Sequence, residues 1–311
     1  MKILVLGANG FIGSRVVRVL SEQAHSIRTL TRTAGAKAGE HQEIVVGDLT
    51  SNTLDVDLLI EGCQVIINCA GEIKNEQLMS ALHVDSTRRL MEAMGRRKDP
   101  VRWVQLSSVG AYGPAPAQSR IVNEQTPPNP QGMYEVTKTE ADELIMTHPA
   151  FQGGMADWVI LRPSNVFAGD MPNQSIRQLA KIIRKKLFFY VGYEDAIATY
   201  IHADDVASAL VCCATDSRAA KQIYNLSNDC QLREVVEALA VCQGVPPPRI
   251  RFPETLVRAG VWLAGNILRL PLTQSRVDAL TNRTAYPADK IRRDLGFVPQ
   301  YSVPLCIGEV L

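Results

Sequence analysis

Residues 1–17 of the chain read MKILVLGANGFIGSRVV. The apolar run predicts a buried strand over Lys2–Leu6, and the residues that follow predict a helix over 11–21. Three glycines lie at the junction: Gly7, Gly10 and Gly13. Glycine allows unusual backbone angles and a close approach of phosphate to the main chain, and the next helix directs free N–H groups at the same place. The stretch therefore predicts a dinucleotide-binding strand–turn–helix unit.

The alternation of apolar strands and helical segments continues through the first two-thirds of the chain. Helices are predicted over 78–94 and 134–147. Five further strands are predicted at Ser26–Thr31, 43–46, Val65–Asn68, 102–106 and 158–161. Apolar strands separated by helices indicate a parallel sheet covered on both faces, and right-handed crossovers make it doubly wound. We expect an α/β fold with a doubly wound parallel sheet of the Rossmann type.

After Arg162 the pattern changes. Residues 177–186 predict a basic helix, Gln222–Leu226 predicts one more strand, and the chain after the prolines at 246–248 is largely helical. We expect a smaller, mostly helical C-terminal lobe that binds substrate. The dinucleotide-binding domain is placed at 1–164 plus about 194–226, and the substrate-binding lobe at about 165–193 plus 227–311.

Composition and charge exclude several classes of function. The 311 residues carry 33 Lys+Arg and 32 Asp+Glu, so that no global field favours nucleic acid. No stretch of about 20 uncharged apolar residues occurs. Residues 256–272 come nearest and contain two arginines; they predict a helix that packs on the protein itself, with membrane association as the alternative. The seven cysteines show neither metal-ligand spacing nor a disulfide framework. We expect a cytoplasmic protein with no metal, no nucleic-acid partner and no integral membrane span.

The residues after the second and third predicted strands bear on the choice of cofactor. A Rossmann unit usually ends its second strand in an acid that binds the adenosine ribose, but Arg32 stands here. A guanidinium can pair with a 2′-phosphate, so the sequence favours NADP, with NAD still possible; a solvated surface arginine is the alternative. Asp48 and Leu49 follow the third strand, where the carboxylate is placed to bind the adenine amino group.

A second group of residues predicts catalysis. Tyr134 and Lys138 are four residues apart on a predicted helix and therefore share one face. The ammonium and the positively charged nicotinamide of a bound cofactor both favour the phenolate and bring a pKa that is ordinarily about 10 towards the working range. Ser108, just after the strand at 102–106, would hydrogen-bond the substrate oxygen.

The same Tyr-x-x-x-Lys spacing occurs again at Tyr286 and Lys290. This copy contains Pro287, and no strand ending in serine precedes it. We interpret it as structural, and position selects Tyr134 and Lys138 as the catalytic pair.

With these residues in view, the chain resembles the extended short-chain dehydrogenase/reductases, the NAD-dependent epimerase/dehydratase family of nucleotide-sugar enzymes. The motifs that carry the resemblance are GANGFIG at 7–13, GDLTS at 47–51, CAG at 69–71, LSSVGAYG at 106–113, MYEVTK at 133–138, LRPSNVF at 161–167, YIHADDVA at 200–207 and YPADKIRRDLGFVPQ at 286–300.

The resemblance implies a role for each matching position. Catalysis falls to Ser108, Tyr134 and Lys138, and Ser108 is selected over Ser107 because it lies four residues before Tyr112. Substrate contacts are implied for Ser108, Tyr134 and Asn165. Cofactor contacts are implied for Gly7, Asn9, Gly10, Phe11, Ile12, Gly13, Arg32, Asp48, Leu49, Cys69, Ala70, Gly71, Tyr134, Lys138 and Pro163.

The chain departs from the family at three places. His83 stands where the family has a backbone-bracing asparagine, a role that imidazole can partly fill. Residues 109–110 are Val-Gly where 4,6-dehydratases carry Asp-Glu, which argues against a dehydratase. Residues 196–198 replace an arginine that grips the nucleotide diphosphate, so that Arg276 or Arg283 would have to supply this contact.

The motifs favour an NADP(H)-linked oxidoreductase that acts on a keto or hydroxyl group of a nucleotide-diphosphate sugar. Three alternatives stay open: a nucleotide-sugar 4-epimerase with a retained cofactor, a hydroxysteroid- or dihydroflavonol-type ketone reductase, and a non-catalytic dinucleotide sensor. The resemblance also implies a homodimer that pairs the helices at 78–94 and 134–147, with Met91 and Met146 on their outward side.

Overall fold

The computed structural model describes residues 1–35, 37–114, 120–154, 156–265 and 273–311. The strands are β1 Lys2–Leu6, β2 Ser26–Thr31, β3 Gln42–Val46, β4 Val65–Asn68, β5 Val101–Leu106, β6 Arg120–Ile121, β7 Ala156–Pro163, β8 Asn165–Phe167, β9 Tyr190–Val191, β10 Ile197–Ala198, β11 Tyr200–His202, β12 Gln222–Leu226, β13 Cys230–Gln231, β14 Arg251–Phe252 and β15 Thr284–Ala285. The α-helices are α1 Gly13–Glu22, α2 Val56–Ile60, α3 Glu76–Ser80, α4 Ser86–Gly95, α5 Met133–Thr147, α6 Ser175–Arg184, α7 Ala203–Thr215, α8 Leu232–Cys242, α9 Glu254–Gly265, α10 Gln274–Leu280, α11 Asp289–Leu295 and α12 Val303–Cys306.

Seven parallel strands form the central sheet in the order β3-β2-β1-β4-β5-β7-β12. The strand order reverses between β1 and β4, where Ile3 pairs with Val65. The loops that leave these two strands therefore turn to opposite faces and leave a crevice at the carboxyl ends, the usual ligand position in such sheets. The predicted α/β fold with a doubly wound parallel sheet is confirmed.

Alternate residues of each inner strand pack against helices on opposite faces. In β1, Ile3 and Val5 join a core with α1, α7 and α11, whereas Leu4 and Leu6 join a core with α2, α4 and α5. Burial on both faces explains why the inner strands are apolar throughout rather than alternating with polar residues.

The predicted helix over 78–94 is interrupted. A π-helical turn, Ala81–Asp85, lies between α3 and α4. Side-chain hydroxyls of the next turn donate hydrogen bonds to carbonyl oxygens of the π turn and the residues beside it. Ser86 Oγ donates to Leu82 O at 2.6 Å, and Thr87 Oγ1 donates to His83 O at 2.7 Å. Such back-bonding bends helices, and π turns are frequent at functional sites.

The prediction that Met91 lies on the outward side of this helix is wrong. Met91 is fully buried in the core beneath α4, and the exposed positions there are charged, for example Arg88 and Glu92. The extra residue of the π turn rotates the later positions by roughly 100° relative to an uninterrupted α-helix. Leu78, before the turn, is 43% exposed for the same reason.

The C-terminal elements form a separate hydrophobic cluster, in which α6, α8 and α12 pack together. The predicted basic helix over 177–186 corresponds to α6, and the strand Gln222–Leu226 is β12. Of the apolar stretch at 256–272, α9 covers the first part, and residues 266–272 lie outside the described residues. No helix in the described ranges is both long and apolar enough to cross a membrane.

The prediction that this apolar stretch packs on the protein itself holds for one side of α9 only. Val257 and Val261 contact Val191 and Val277. Leu256, Trp262 and Leu263 point away from that cluster and are 66%, 67% and 59% exposed.

The two C-terminal signature motifs are joined by hydrogen bonds. Asp205, in the first turn of α7, accepts the backbone N–H groups of Gln300 at 2.8 Å and Tyr301 at 3.1 Å. The ring of Tyr301 stacks on His202 with 4.2 Å between centroids. These motifs therefore hold the end of the chain against α7.

Gly7 and Gly62 form a matched pair for testing the glycine turn, because their φ angles are +73° and +71°. Gly62→Ala carries only the left-handed backbone penalty of about 1–2 kcal/mol. Gly7→Ala adds a collision with the backbone of Cys69 and Ala70, and should lower the free energy of unfolding by about 1–3 kcal/mol more. Urea unfolding measures both; equal losses would contradict the described approach.

Candidate active site

The glycine turn after β1 closes against the loop after β4. A Cβ on Gly7 would lie 2.7 Å from Ala70 N, and one on Gly13 would overlap the carbonyl oxygen of Gly7. The turn itself is held by Gly10 N–H donating to Gly7 O at 2.9 Å. The amides of Phe11 and Ile12 have no hydrogen-bond acceptor in the described part of the chain. They remain available to a negatively charged group.

A groove of about 540 Å³ lies at this junction. Of the predicted cofactor residues it is lined by Gly7, Asn9, Gly10, Arg32, Asp48, Leu49, Cys69, Ala70 and Gly71. The remaining predicted cofactor residues are Phe11, Ile12, Gly13, Tyr134, Lys138 and Pro163, which do not line it. Lining residues that the sequence reasoning missed are Leu30, Thr31, Thr33, Gly47, Thr50, Glu72, Leu78 and Leu82.

Polar contacts hold together the end of this groove that is formed by the residues after β2 and β3. Asn9 Nδ2 donates to Thr31 Oγ1 at 3.0 Å and joins the glycine turn to the end of β2. Arg32, the next residue, is exposed at the rim. The amide and hydroxyl of Thr50, both 2.8 Å from Asp48 Oδ1, hold the pKa of Asp48 below its ordinary value, and the charge of Arg32 adds to this effect.

Lys138 is a buried cation in the second turn of α5. Its side chain is 4% exposed, and its ammonium has no hydrogen-bond partner among the described residues. Burial lowers the pKa of Lys138 to about 8, while the negative charge of Asp142 opposes this shift. Nζ is not among the fully buried side-chain atoms that lack a partner, so it keeps some exposure through which a bound hydroxyl group can reach it.

Tyr134, one turn earlier on α5, is half-buried. The expected lowering of the pKa of this phenol depends on Lys138 together with a bound nicotinamide, and the chain by itself does not produce it. Burial raises the pKa of Tyr134 to about 12, and the charges of Glu135 and Asp142 act in the same direction. Desolvation of the phenolate is the largest cause, so the hydroxyl is protonated at neutral pH.

His83 braces the backbone as the sequence led us to expect. Its Nε2 accepts the N–H of Glu72 at 2.9 Å, so the ring proton sits on Nδ1 and is donated to Thr137 Oγ1 at 2.8 Å. Burial lowers the pKa of His83 to about 4, and the charge of Lys138 contributes. The neutral ring ties the loop after β4 to α5 and lies edge-on to Tyr134, with 5.7 Å between centroids.

Ser108 begins a short 3-10 turn, Val109–Tyr112, at the end of β5. Its Oγ accepts the N–H of Gly110 at 3.0 Å, which leaves the hydroxyl proton free for another acceptor. The turn packs closely on the first turn of α5: a Cβ at Gly110 would lie 2.7 Å from Glu135 Cγ. The packing leaves no room for an acidic side chain at position 110 unless Glu135 moves.

A buried ion pair beneath α5 was missed by the sequence reasoning. Asp142 Oδ2 accepts Nε and Nη2 of Arg162 at 3.0 and 2.9 Å, and also the hydroxyl of Ser107 at 2.7 Å. The guanidinium of Arg162 lies 5.0 Å from the ring centroid of Tyr112. The sequence did contain a signal for this ion pair, because Asp142 lies one helical turn beyond Lys138 and Arg162 belongs to the LRPSNVF motif. The pair fixes α5 to β5 and β7.

A second groove, of about 620 Å³, is lined by Asn165, Thr199, Arg258 and Tyr286, among others. Asn165 Nδ2 donates to Thr199 O at 3.0 Å, and Pro163 is buried two residues before it at the end of β7. This groove thus contains one of the predicted substrate residues.

The charges in and beside this second groove are mostly balanced. Arg258 pairs with Glu254 at 2.8 Å and with Asp278 at 2.7 Å. Arg283 pairs with Asp195 at 2.8 Å, and Nη2 of Arg276 donates to Gln178 Oε1 at 2.6 Å.

The second Tyr-x-x-x-Lys copy gives its two members different partners. Lys290 Nζ donates to Ile223 O at 2.8 Å and lies 5.0 Å from the ring centroid of Tyr224. Tyr286 is 8% exposed and stacks on Tyr112, with 6.3 Å between centroids. Both side chains therefore make packing contacts of the kind expected for structural residues.

Comparisons with known proteins agree with this architecture. A profile of the NAD-dependent epimerase/dehydratase family matches residues 3–227. The dTDP-6-deoxy-L-talose 4-dehydrogenase (NAD(P)(+)) of Kitasatospora kifunensis is 26% identical, and the match covers 81% of this chain and 82% of that protein. The 3-beta-hydroxysteroid dehydrogenase of Mycolicibacterium neoaurum is 23% identical, with 100% of this chain and 90% of that protein covered.

The fold is also similar to that of UDP-glucuronic acid 4-epimerase from Bacillus cereus, whose structure was solved in complex with NAD. The TM-score is 0.74 at 19% identity, and 99% of this chain and 95% of that chain are covered. Sheet, groove and matches together define an enzyme of the extended short-chain dehydrogenase class, whose members are NAD(P)-dependent oxidoreductases and epimerases. The chain belongs to the NAD-dependent epimerase/dehydratase family.

Protonation of His83 should destabilise the fold in acid. Its pKa of about 4 lies below the unfolded value of 6.5, so the neutral ring contributes stability above pH 6.5 that is lost as the pH falls towards 4. In this window the free energy of unfolding of the wild type should fall faster than that of His83→Asn, by up to about 1.4 kcal/mol per pH unit. Urea unfolding across pH 4–8 measures the difference. If the free energies of unfolding of the two proteins change in parallel with pH, His83 is not the titrating group.

Proposed function

We propose that the protein is an NADP(H)-linked oxidoreductase that reduces a ketone, or oxidises the corresponding hydroxyl, of a nucleotide-diphosphate sugar. The observation that carries the proposal is the buried side chain of Lys138 one helical turn from Tyr134 on α5, with the His83 ring edge-on to the phenol. This pairing suits proton transfer to a substrate oxygen.

The residues of the first groove fit a dinucleotide. The glycine turn admits no Cβ at Gly7 or Gly13, and the free amides of Phe11 and Ile12 suit a pyrophosphate. We assign the adenosine end to Asp48, Leu49 and Arg32, and the inner end to Cys69, Ala70, Gly71, Lys138 and Pro163. When bound, the cofactor supplies or accepts the hydride.

Three side chains would carry the proton chemistry. Tyr134, kept protonated by burial, donates its proton to the carbonyl oxygen during reduction. Ser108 donates a hydrogen bond to the same oxygen, because its own Oγ already accepts the amide of Gly110. The ammonium of Lys138 stabilises the phenolate that remains.

We assign substrate binding to the second groove. The substrate-binding lobe comprises about 165–193 and 227–311, and the dinucleotide-binding domain comprises 1–164 and about 194–226. The separate hydrophobic cluster of α6, α8 and α12 supports this division. Asn165 would contact the substrate, and the Val-Gly pair at 109–110 makes a dehydratase unfavourable because the turn packs on Glu135.

A second candidate function is reduction of an apolar ketone, such as a steroid. The charge balance favours it: Arg258 in the groove is neutralised by Glu254 and Asp278, and Ala196 and Ala198 stand where a diphosphate-gripping arginine is expected. The similarity to a hydroxysteroid dehydrogenase points in the same direction.

Turnover with NADPH tests both candidates. The wild type should oxidise NADPH in the presence of a nucleoside-diphosphate 4-ketosugar and not in the presence of a ketosteroid. Tyr134→Phe should lose about 10²–10⁴-fold in rate, because the proton donor is gone. Tyr286→Phe serves as the matched control: it keeps the ring that lines the second groove and removes a hydroxyl that makes no hydrogen bond among the described residues, so its rate should stay within a few-fold of wild type. Equal losses in the two variants would place the active site elsewhere, and turnover of the steroid alone would establish the second candidate.

Arg32 should determine the choice between cofactors. If its guanidinium pairs with the 2′-phosphate, Arg32→Ala should weaken NADPH binding roughly ten- to a hundredfold and leave NADH binding nearly unchanged. Fluorescence titration of both cofactors against wild type and variant gives the four affinities. Equal affinity of the wild type for NADH and NADPH would overturn the assignment.

A further inference from the structure

The outward face of α9 is apolar while its charged residues point inward. From Glu254 to Leu263 the exposed positions are Thr255, Leu256, Ala259, Gly260, Trp262 and Leu263. Glu254 and Arg258, by contrast, form an ion pair on the inner side that lines the groove beside Asn165. This is the reverse of the pattern of an ordinary surface helix.

The apolar surface extends beyond α9 onto the neighbouring short strands. Tyr190 N–H donates to Ile250 O at 2.9 Å, and the rings of Phe189 and Phe252 meet edge-to-face with 5.0 Å between centroids. This contact joins the end of α6, where Leu187 is 66% exposed, to Ile250, which is 61% exposed, and to the start of α9. We call the exposed side chains of Leu187, Ile250, Phe252, Leu256, Trp262 and Leu263 the apolar patch.

Exposed cations adjoin this patch at one edge. Arg184, Lys185 and Lys186 directly precede Leu187, and Arg249 directly precedes Ile250. Arg184, Lys185, Lys186 and Arg249 are exposed and belong to no ion pair in the described part of the chain. These four cations therefore adjoin Leu187 and Ile250, whereas Arg251 and Arg258 nearby pair with Glu194, Glu254 and Asp278.

We propose that the apolar patch and its basic rim dock the protein on an anionic lipid bilayer, with α9 lying in the interface. Exposed leucine and tryptophan beside lysine and arginine are the composition of interfacial helices, in which apolar side chains enter the acyl boundary while cations bind lipid phosphates. Large exposed apolar surfaces are uncommon on monomeric soluble proteins unless they bind a partner or a membrane. Because Glu254 and Arg258 line the second groove from the inner side of the same helix, docking places that groove close to the bilayer.

Vesicle binding tests the proposal independently of catalysis. The wild type should co-sediment with phosphatidylcholine vesicles that contain phosphatidylglycerol, but not with phosphatidylcholine alone, and added salt should release it. Lys185→Glu with Lys186→Glu should lower the partition coefficient at least about tenfold. Arg88→Glu with Lys98→Glu, exposed on the sheet domain, is the charge-matched control and should bind as wild type.

The apolar contribution is tested with Leu256→Ser and Leu263→Ser combined, against Leu58→Ser, whose side chain is 62% exposed on α2. The first variant should lose vesicle binding and the second should keep it, both with wild-type circular dichroism. Trp262 emission should shift to shorter wavelength on binding, whereas Trp103 is already buried.

Three results would overturn the proposal. The first is that the wild type stays in the supernatant with anionic vesicles. The second is that the Lys185/Lys186 variant binds vesicles as the wild type does. The third is that, without vesicles, the wild type self-associates and the Leu256/Leu263 variant sediments as a monomer, while neither chain binds lipid. In the last case the patch is an interface between two copies of the chain.

Discussion

The close approach of Gly7 to the backbone of Cys69 and Ala70 is the constraint on which the site depends. Parallel strands β1 and β4 stand side by side, and the loops that leave them must separate without a side chain between them. The gap that results is the groove, and Cys69 at its wall lies close enough to Lys138 for the charge of the ammonium to act on its thiol. A larger residue at position 7 would move the two loops apart together with everything attached to them.

Much of this could be predicted from the sequence, because the inner strands are apolar throughout and the glycine spacing marks the first turn. What escaped prediction depends on contacts between distant residues. The π turn at Ala81–Asp85 is stabilised by side-chain hydroxyls and rotates α4, which is why Met91 was placed on the wrong face. The Asp142–Arg162 pair joins residues from different elements, and the raised pKa of Tyr134 reflects burial, which spacing along a helix doesn't encode.

The site combines groups whose protonation is set by burial. Desolvation holds His83 neutral and Tyr134 protonated, while Lys138 keeps most of its charge at neutral pH. A neutral imidazole accepts one backbone amide and donates to Thr137, so it can brace two elements without adding a second cation beside the ammonium. The same burial that raises the pKa of the phenol keeps its proton available for donation.

The pairing of β15 with β6 has a consequence for the order in which the protein is made. Thr284 pairs with Arg120, about half the chain earlier, and Asp205 is capped by the amides of Gln300 and Tyr301. During synthesis the ribosome releases the whole sheet before these last partners emerge. The first groove is lined by residues 7–82, whereas the lining of the second groove also includes residues 275–286, which are made much later. A nascent chain therefore contains every lining residue of the first groove well before it contains those of the second.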